Sequence, residues 1–229
     1  DKSQAVASVG QIELMNLFNK IFSLKKINLS QILLTLEDTE QRRRAINAKR
    51  TFENLFELGF IPVVNENDSI ATTEIKYGDN DRLASRVAQI SGADCLVLLS
   101  DVDGLYTQNP KLFKNSKLIK EIKNINTDIE KIATKSISEH GTGGMKTKIE
   151  AAKICQLSGC MMVIANGLLE RPIKKIIDKN KCTWFLPKVS KLDARKKWII
   201  SSVSPKGELI IDDGAVSYTH LTLPTNREV

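Results

Sequence analysis

The chain has 229 residues, enough for one domain and part of a second. With 41% hydrophobic and 27% charged residues, its composition is that of an ordinary globular protein and excludes wholesale disorder. The apolar runs are far shorter than the roughly 20 residues that cross a bilayer, and no basic-then-apolar leader opens the chain. We therefore expect no membrane span and no signal peptide. The net charge of +7 permits anionic partners but does not choose among nucleic acid, a membrane surface and phosphorylated substrates.

Cysteine and histidine are too few and too scattered for a metal site. Four cysteines form no Cys-x-x-Cys pair, and only two histidines accompany them. We therefore predict no resident metal site. Most of the cysteines lie in apolar stretches and are interpreted as core thiols in a reducing compartment, which predicts a cytoplasmic location.

The two ends of the chain are interpreted differently from its middle. The chain opens at Asp1 with no initiator Met and directly enters an amphipathic helix, so we expect a truncated amino terminus. Residues 217–229 change character abruptly and resemble a translated sequencing adapter. They are excluded from the fold prediction, although a short natural tail remains the alternative.

Between the ends, apolar periodicity predicts strands and helices in alternation. Strands are predicted at residues 29–35, 60–64, 94–99 and 161–165, with a short extended piece at 73–77. Residues 95–99 are uninterruptedly apolar, which is typical of a strand buried on both faces. Helices are predicted at 3–24, from an N-cap at Asp38 to Leu58, from the 78–81 cluster to Gly92, near Asp128, at 146–157 and from Pro172.

This alternation predicts an α/β fold with a largely parallel sheet. In such sheets ligands bind beyond the carboxyl ends of the strands. Polar clusters at Asn65–Asp68, Ser100–Asp101 and Asn166–Gly167 all fall at predicted strand carboxyl ends. We expect them to converge on one edge of the sheet. After a domain of residues 1–186, the basic stretch 187–206 is predicted to be a linker and 207–216 the first strand of a second, β-rich domain.

A glycine-rich segment, Gly141–Lys148, precedes the helix at 146–157. Its glycines allow close approach of an anion, and the helix N-terminus offers unpaired N–H groups. Lys148 can reach the same anion, so the segment is a phosphate cradle in physical terms. The alternative is a glycine-rich turn with a surface lysine.

Acidic and amide side chains cluster at Asn65–Asp68 and again at Gly78–Asp81. Such groups can hold an ammonium group or orient a lysine. Asp79 is interpreted as an ordinary helix cap, whereas Asp68, Asn80 and Asp81 are predicted to be functional. Ser100–Asp101 could contact a ribose or base, or be an ordinary acidic turn.

Taken together, these motifs resemble the glutamate 5-kinases, a family within the amino acid kinase superfamily. The resemblance rests on Val63–Asp68, Glu74–Asp81, Leu99–Thr107 and Gly141–Lys148, supported by Ala7–Gln11 and Arg195–Ile199, and runs from Asp1 to about Val216. It implies a three-layer αβα sandwich of the amino acid kinase fold, followed by the start of a PUA-like domain. The parent of this chain is expected to form homo-oligomers.

The implied activity is transfer of the γ-phosphoryl group of ATP, with Mg²⁺, to the side-chain carboxylate of L-glutamate, the first step of proline biosynthesis. The resemblance makes Lys148 and Asp81 catalytic, and it assigns glutamate to Asp68, Asn80 and Asn65. ATP is assigned to Ser100, Asp101, Thr142, Gly143, Gly144, Met145, Lys146, Thr147 and Lys148. The family's amino-terminal lysine and Gly-Ser turn do not occur in this sequence, so the chain is expected to be inactive, or barely active, alone.

Two other functions remain open at this point. A sister kinase for aspartate, N-acetylglutamate, carbamate or UMP would share the ATP loop. A non-enzymatic RNA-binding fragment would fit the charge of +7, although aromatic residues, at 5%, are too few for an obvious base-stacking surface, so nucleic acid is the less favoured partner.

Overall fold

The computed structural model describes residues 2–70, 80–110, 112–135, 144–178, 181–190 and 192–194. Helices and strands alternate along the first half as α1 (Lys2–Ser23), β1 (Asn28–Leu34), α2 (Leu36–Glu40), α3 (Arg42–Glu57), β2 (Phe60–Glu66), α4 (Asn80–Ser91) and β3 (Cys95–Ser100). They continue as β4 (Glu121–Ile122), α5 (Thr127–Lys135), α6 (Gly144–Ser158), β5 (Met161–Asn166), α7 (Pro172–Ile177) and β6 (Cys182–Phe185). The α/β class predicted from the periodicity is confirmed.

The described strands form two sheets. β1 pairs in parallel with β2, and the second sheet has the order β3-β5-β6-β4. In the second sheet β3 is parallel to β5 and β4 is parallel to β6, while β5 and β6 are antiparallel. The pairing is therefore largely parallel, as predicted. Within the described residues, no ladder joins the two sheets.

Alternate side chains of β5 enter two different cores, which gives the second sheet a helix layer on each face. Met162 and Ile164 pack with α5 and α6 residues of the main core, including Ile149. Val163 and Ala165 point the other way and pack with Ile176 of α7. β5 is consequently buried along almost its whole length, as its apolar sequence predicts.

A smaller core holds the first sheet against α3 and α4. Phe52 of α3 is 1% exposed and packs with Leu34 of β1 and Leu83 of α4. α4 also packs against α6 and β3. Because one helix contacts both sheets, α4 fixes the end of the first sheet relative to the helix that follows the glycine-rich segment.

The predicted N-cap at Asp38 is wrong. The N-cap is Thr35, whose hydroxyl accepts from the backbone N–H of Asp38, while the Asp38 carboxylate accepts from the backbone N–H of Thr35 at 2.8 Å. This reciprocal capping box starts the helix three residues earlier than expected. The single predicted helix is also divided, because Gln41 adopts an extended conformation between α2 and α3.

The expectation that residues 95–99 are buried on both faces is also wrong. Leu98 is 7% exposed, but Leu99 is 48% exposed. Leu99 lies on the same face as Cys95 and Val97, which pack against the core that contains Ile176, but Leu99 itself is not part of that core. β4 and β6 were not predicted, since runs of two and four residues carry too little periodicity to distinguish.

The predicted amino-terminal helix is confirmed as α1, and it contacts β1. No residue of α1 is buried. Apolar side chains remain exposed along it, among them Val6, Val9, Leu17 and Ile21. Among the described helices, including α1, none combines the length and apolar character that a bilayer crossing requires.

Several predicted features fall outside the described residues. They are the extended piece at 73–77, the Asp79 cap, the start of the second domain at 207–216 and the tail at 217–229. All four cysteines are described and are free thiols; Cys155, Cys160 and Cys182 are buried, as core thiols should be.

Candidate active site

Three predicted residues from two distant motifs meet between α4 and α6. The Lys148 ammonium lies 2.9 Å from the Asp81 carboxylate oxygen Oδ2. The Thr147 hydroxyl donates to that same oxygen at 2.8 Å. The side chains of Lys148 and Asp81 are only 15% and 18% exposed, so the ion pair is largely shielded from water. The prediction that Asp81 orients a lysine agrees with this geometry.

The backbone explains why these side chains meet. Asp81 is the second residue of α4, Lys148 is the fifth residue of α6, and the two helices pack side by side. α6 begins at Gly144, at the end of the glycine-rich segment. The first N–H groups of a helix lack intrahelical partners and attract anions. Lys148 therefore lies at a helix start that is suited to a phosphate group.

A cavity of about 220 Å³ lies beyond the carboxyl end of β2. It contains Asp68, predicted to bind substrate, together with residues of α1 and β1; its lining is Ala7, Ser8, Gln11, Ile12, Gln31, Leu33, Glu66, Asn67, Asp68 and Ser69. Asn65, also a predicted substrate residue, donates through Nδ2 to Gln11 Oε1 at 2.8 Å. Three of the predicted acidic and amide residues, Glu66, Asn67 and Asp68, therefore border one concave space, and Asn65 contacts its lining residue Gln11.

A second cavity, of about 310 Å³, lies at the carboxyl end of β5. Its lining combines an apolar floor with polar groups that include Asp103, Asn166, Lys175 and Lys181. Ser100 lies beside it, because Ser100 pairs with Asn166 and its carbonyl accepts from the Gly167 N–H at 2.8 Å. The Ser100 hydroxyl donates to the Asp101 carboxylate at 3.1 Å. The predicted convergence is thus observed for Ser100–Asp101 and Asn166–Gly167, whereas the third cluster, Asn65–Asp68, lies at the end of β2 in the other sheet of the described residues.

Asp103, which lines the larger cavity, accepts two side-chain hydrogen bonds. Its two carboxylate oxygens accept from Asn166 Nδ2 at 3.1 Å and from the Tyr106 hydroxyl at 3.0 Å. Burial, together with the hydrogen bond to Asp103, raises the pKa of Tyr106. Tyr106 therefore stays protonated and keeps donating its hydrogen bond at neutral pH.

Other predicted residues are not brought into these contacts. Thr142 and Gly143 lie outside the described residues. Asn80 is exposed at the first position of α4, and Lys146 is exposed on α6. Met145 packs against the main core. Their assignments to glutamate and ATP stay predictions.

Sequence reasoning missed Gln11, Asp103, Lys175 and Lys181 as cavity residues. Gln11 lies within one of the quoted motifs, and Asp103 lies two residues after Asp101, so proximity to a motif could have marked both. Lys175 and Lys181 carry no such signal, since only the fold brings them to the end of β5. Among the described residues, no group of three His, Cys, Asp or Glu side chains could hold a metal ion.

The fold and the site together define a class of protein. An α/β sandwich whose polar cavities lie at strand carboxyl ends, with a lysine–aspartate pair at a glycine-led helix start, is suited to handling a phosphorylated ligand. The chain belongs to the amino acid kinase family. The family model, described as "Amino acid kinase family", matches residues 1–166.

Curated relatives resemble this chain closely over nearly all of its length. Glutamate 5-kinase of Pelagibacter ubique (strain HTCC1062) is 85% identical over 215 residues, covering 94% of this chain and 58% of that protein. Glutamate 5-kinase of Nitrobacter hamburgensis is 50% identical over 217 residues, covering 95% of this chain and 57% of that protein. The chain thus spans less than three fifths of the length of these relatives, and the resemblance inferred from its motifs is confirmed.

A solved structure supports the same fold. UMP kinase from Ureaplasma parvum superposes with a TM-score of 0.51 at 15% sequence identity, covering 78% of this chain and 66% of that one. At this identity the likeness concerns the fold alone. The predicted amino acid kinase fold is confirmed, while the PUA-like continuation lies outside the described residues.

Proposed function

We propose that the protein of which this chain is a part transfers the γ-phosphoryl group of ATP to the side-chain carboxylate of L-glutamate. The product would be L-glutamyl 5-phosphate, an acyl phosphate, made as the first step of proline biosynthesis. The observation that carries the proposal is the shielded Lys148–Asp81 pair at the start of α6. It occurs in a chain that is 85% identical to a glutamate 5-kinase.

The chemistry of phosphoryl transfer explains why such a pair is useful. The reaction needs precise positioning and neutralisation of charge on the transferring group more than covalent catalysis. In the proposed mechanism, Lys148 stabilises negative charge on the γ-phosphoryl oxygens, and Asp81 holds the ammonium in place. The N-terminus of α6 adds backbone N–H groups facing the same anion.

The two cavities suggest where the substrates bind. The smaller one, with Asp68 and the neighbouring Asn65, is the proposed glutamate site, because carboxylate and amide oxygens suit the α-ammonium group. The larger one, beside Ser100 and Asp101, is the proposed nucleotide site. Its apolar floor suits a base, and Lys175 and Lys181 supply positive charge near the phosphates. Asn80 is proposed to contact glutamate as well.

Mg²⁺ is proposed to enter as the complex with ATP. Such ions are usually bound through substrate phosphates, water and one or two carboxylates, rather than by a cage of protein ligands. Asp101, near the proposed nucleotide site, is a suitable carboxylate. A cytoplasmic location is proposed on the basis of the free, mostly buried cysteine thiols.

The parent protein is proposed to form homo-oligomers. The support is α1, whose side chains Val6, Leu17 and Ile21 are each more than half exposed. An apolar stripe of this kind on a 22-residue helix is typical of a surface that another subunit covers. Leu17→Glu should lower the mass measured by size exclusion with light scattering if this surface holds subunits together. An unchanged mass would exclude α1 from the interface.

The proposed activity can be tested with a panel of phosphoryl acceptors. ADP release is measured for the complete reading frame recovered from the source DNA, and in parallel for the 229-residue chain. The acceptors are L-glutamate, L-aspartate, N-acetyl-L-glutamate, carbamate and UMP. Stimulation by L-glutamate alone supports the proposal. Stimulation by another acceptor instead would assign the protein to a sister activity, and near-native turnover by the short chain would refute the expectation that it is inactive alone.

A further inference from the structure

Thr147 lies in the first turn of α6, at the end of the glycine-rich segment. The resemblance to the glutamate 5-kinases assigns this residue to ATP. Its hydroxyl oxygen lies 2.8 Å from Asp81 Oδ2 and 3.0 Å from the carbonyl oxygen of Gly144. The contact with Asp81 joins residues 66 positions apart in the chain. Thr147 therefore links the start of α6 to the start of α4.

The Thr147 hydroxyl has two acceptors within reach but can donate to only one of them. A threonine hydroxyl has one hydrogen to donate, while an ionised carboxylate and a carbonyl only accept. The hydrogen is directed to Asp81, because a bond to a charged acceptor is the stronger of the two and the distance is shorter. A phosphate oxygen also needs a donor. Thr147 would have to give up Asp81 in order to bind one.

Lys148, in contrast, has more hydrogens to donate than acceptors to receive them. Its ammonium carries three hydrogens, and within the described part of the chain only Asp81 is seen to accept from it. Two hydrogens are thus left for an incoming phosphoryl group. The direction in which they point depends on where Asp81 Oδ2 is held, and Thr147 binds that oxygen.

We propose that the Thr147 hydroxyl is a positioning group, which fixes Asp81 and through it the Lys148 ammonium, and that this hydroxyl is not itself a ligand of ATP. The inference rests on the proposed function and deepens it. Thr147 sets the geometry of the pair that stabilises the transition state, so its hydroxyl affects the rate of transfer and not the binding of nucleotide.

The first test separates kcat from KM in the complete protein. Thr147→Val keeps the shape of the side chain and removes the hydroxyl, and we expect kcat to fall about 10-fold, as for loss of one charge-assisted hydrogen bond. The KM for ATP should stay within about twofold. Thr147→Ser should restore most of kcat. An increase in the KM for ATP with kcat retained would overturn the proposal and make Thr147 a nucleotide ligand.

A matched control lies on α3. The Thr51 hydroxyl donates to the Asn47 carbonyl at 3.0 Å, a bond that stays within its own helix. Thr51→Val removes such a bond with no carboxylate involved, so kcat should be unchanged. If Thr51→Val lowers kcat as much as Thr147→Val does, the effect is general helix destabilisation and the proposal fails.

The second test needs no turnover and uses the 229-residue chain. The rate at which an amine-specific acylating reagent labels Lys148 is measured by peptide mass spectrometry, with exposed Lys146 as the internal reference. Releasing Asp81 should free the ammonium, so Thr147→Val is expected to raise the Lys148 rate severalfold, and Thr147→Ser should not. An unchanged rate would overturn the proposal. If the wild-type protein shows no glutamate-dependent turnover, the proposed function fails, and labelling still decides the role of Thr147.

Discussion

The pairing of Asp81 with Lys148 predicts a measurable coupling between the two residues in the free energy of unfolding. The charged atoms lie 2.9 Å apart, and both side chains are more than four-fifths buried. Coulomb's law at an effective dielectric constant of about 20 gives roughly 5–6 kcal/mol of attraction at this separation. Desolvation of the two groups offsets most of that attraction. We therefore expect a coupling energy of about 1–3 kcal/mol.

The coupling is obtained from a double-mutant cycle with Asp81→Asn and Lys148→Met, measured by urea denaturation. The control cycle uses the more solvent-accessible pair Lys49 and Glu53, whose side chains are 34% and 52% exposed and which are 3.5 Å apart on α3. Its coupling should be below about 0.5 kcal/mol, as is usual for surface pairs. A coupling for Asp81 and Lys148 that is no larger than the control value would refute the shielded geometry on which the candidate site depends.

Two further predictions concern the fold around the site. Gly104→Ala would bring a Cβ into the Thr183 hydroxyl and within 2.9 Å of the Thr183 backbone nitrogen, so urea denaturation should show a loss of about 1–3 kcal/mol in the free energy of unfolding. In contrast, Gly10→Ala on α1 meets nothing within 4 Å and should be neutral or stabilising; equal effects would contradict the packing of Gly104. For Asp38, burial opposes ionisation, but hydrogen bonds from the hydroxyl and backbone N–H of Thr35 prevail and lower its pKa. A lowered folded pKa means that this stabilisation is present above the ordinary value of 3.8 and is lost as the pH falls through the folded value. Asp38→Asn should therefore reduce the acid dependence of unfolding below about pH 4, and an unchanged acid limb would contradict the capping box.

The larger elements were predictable because each carries its own local signal. β5 is apolar at successive positions and proves to be buried on both faces. α3 and α6 end near Gly59 and Gly159, which adopt φ of 76° and 74° and so need a residue without Cβ. The exposure of Leu99 was not predictable in the same way. It depends on how far the core that contains Ile176 extends over this face of β3, and that is a property of tertiary packing.

In the candidate site, too, the residues were predictable from local motifs, whereas their contacts were not. Asp81, Thr147 and Lys148 were identified by motif, and the ion pair of Asp81 with Lys148 is consistent with the role predicted for Asp81, which stays a prediction. What the motif did not reveal is that Thr147 donates to Asp81, because that contact depends on the packing of α4 against α6. The prediction of the N-cap of α2 was wrong for a related reason. Both Thr35 and Asp38 are good caps by residue type, and only the backbone shows which one occupies the N-cap position.

The most direct measurement of the proposed activity traps the product. Acyl phosphates react with hydroxylamine to give hydroxamates, whereas phosphate esters do not, so the trap reports transfer to a carboxylate. The complete protein, incubated with Mg–ATP, hydroxylamine and L-glutamate, should form glutamyl hydroxamate in step with ADP release. Lys148→Met should abolish both. ADP release without hydroxamate, or hydroxamate formation that survives Lys148→Met, would contradict the account of a carboxylate kinase centred on Lys148 and Asp81.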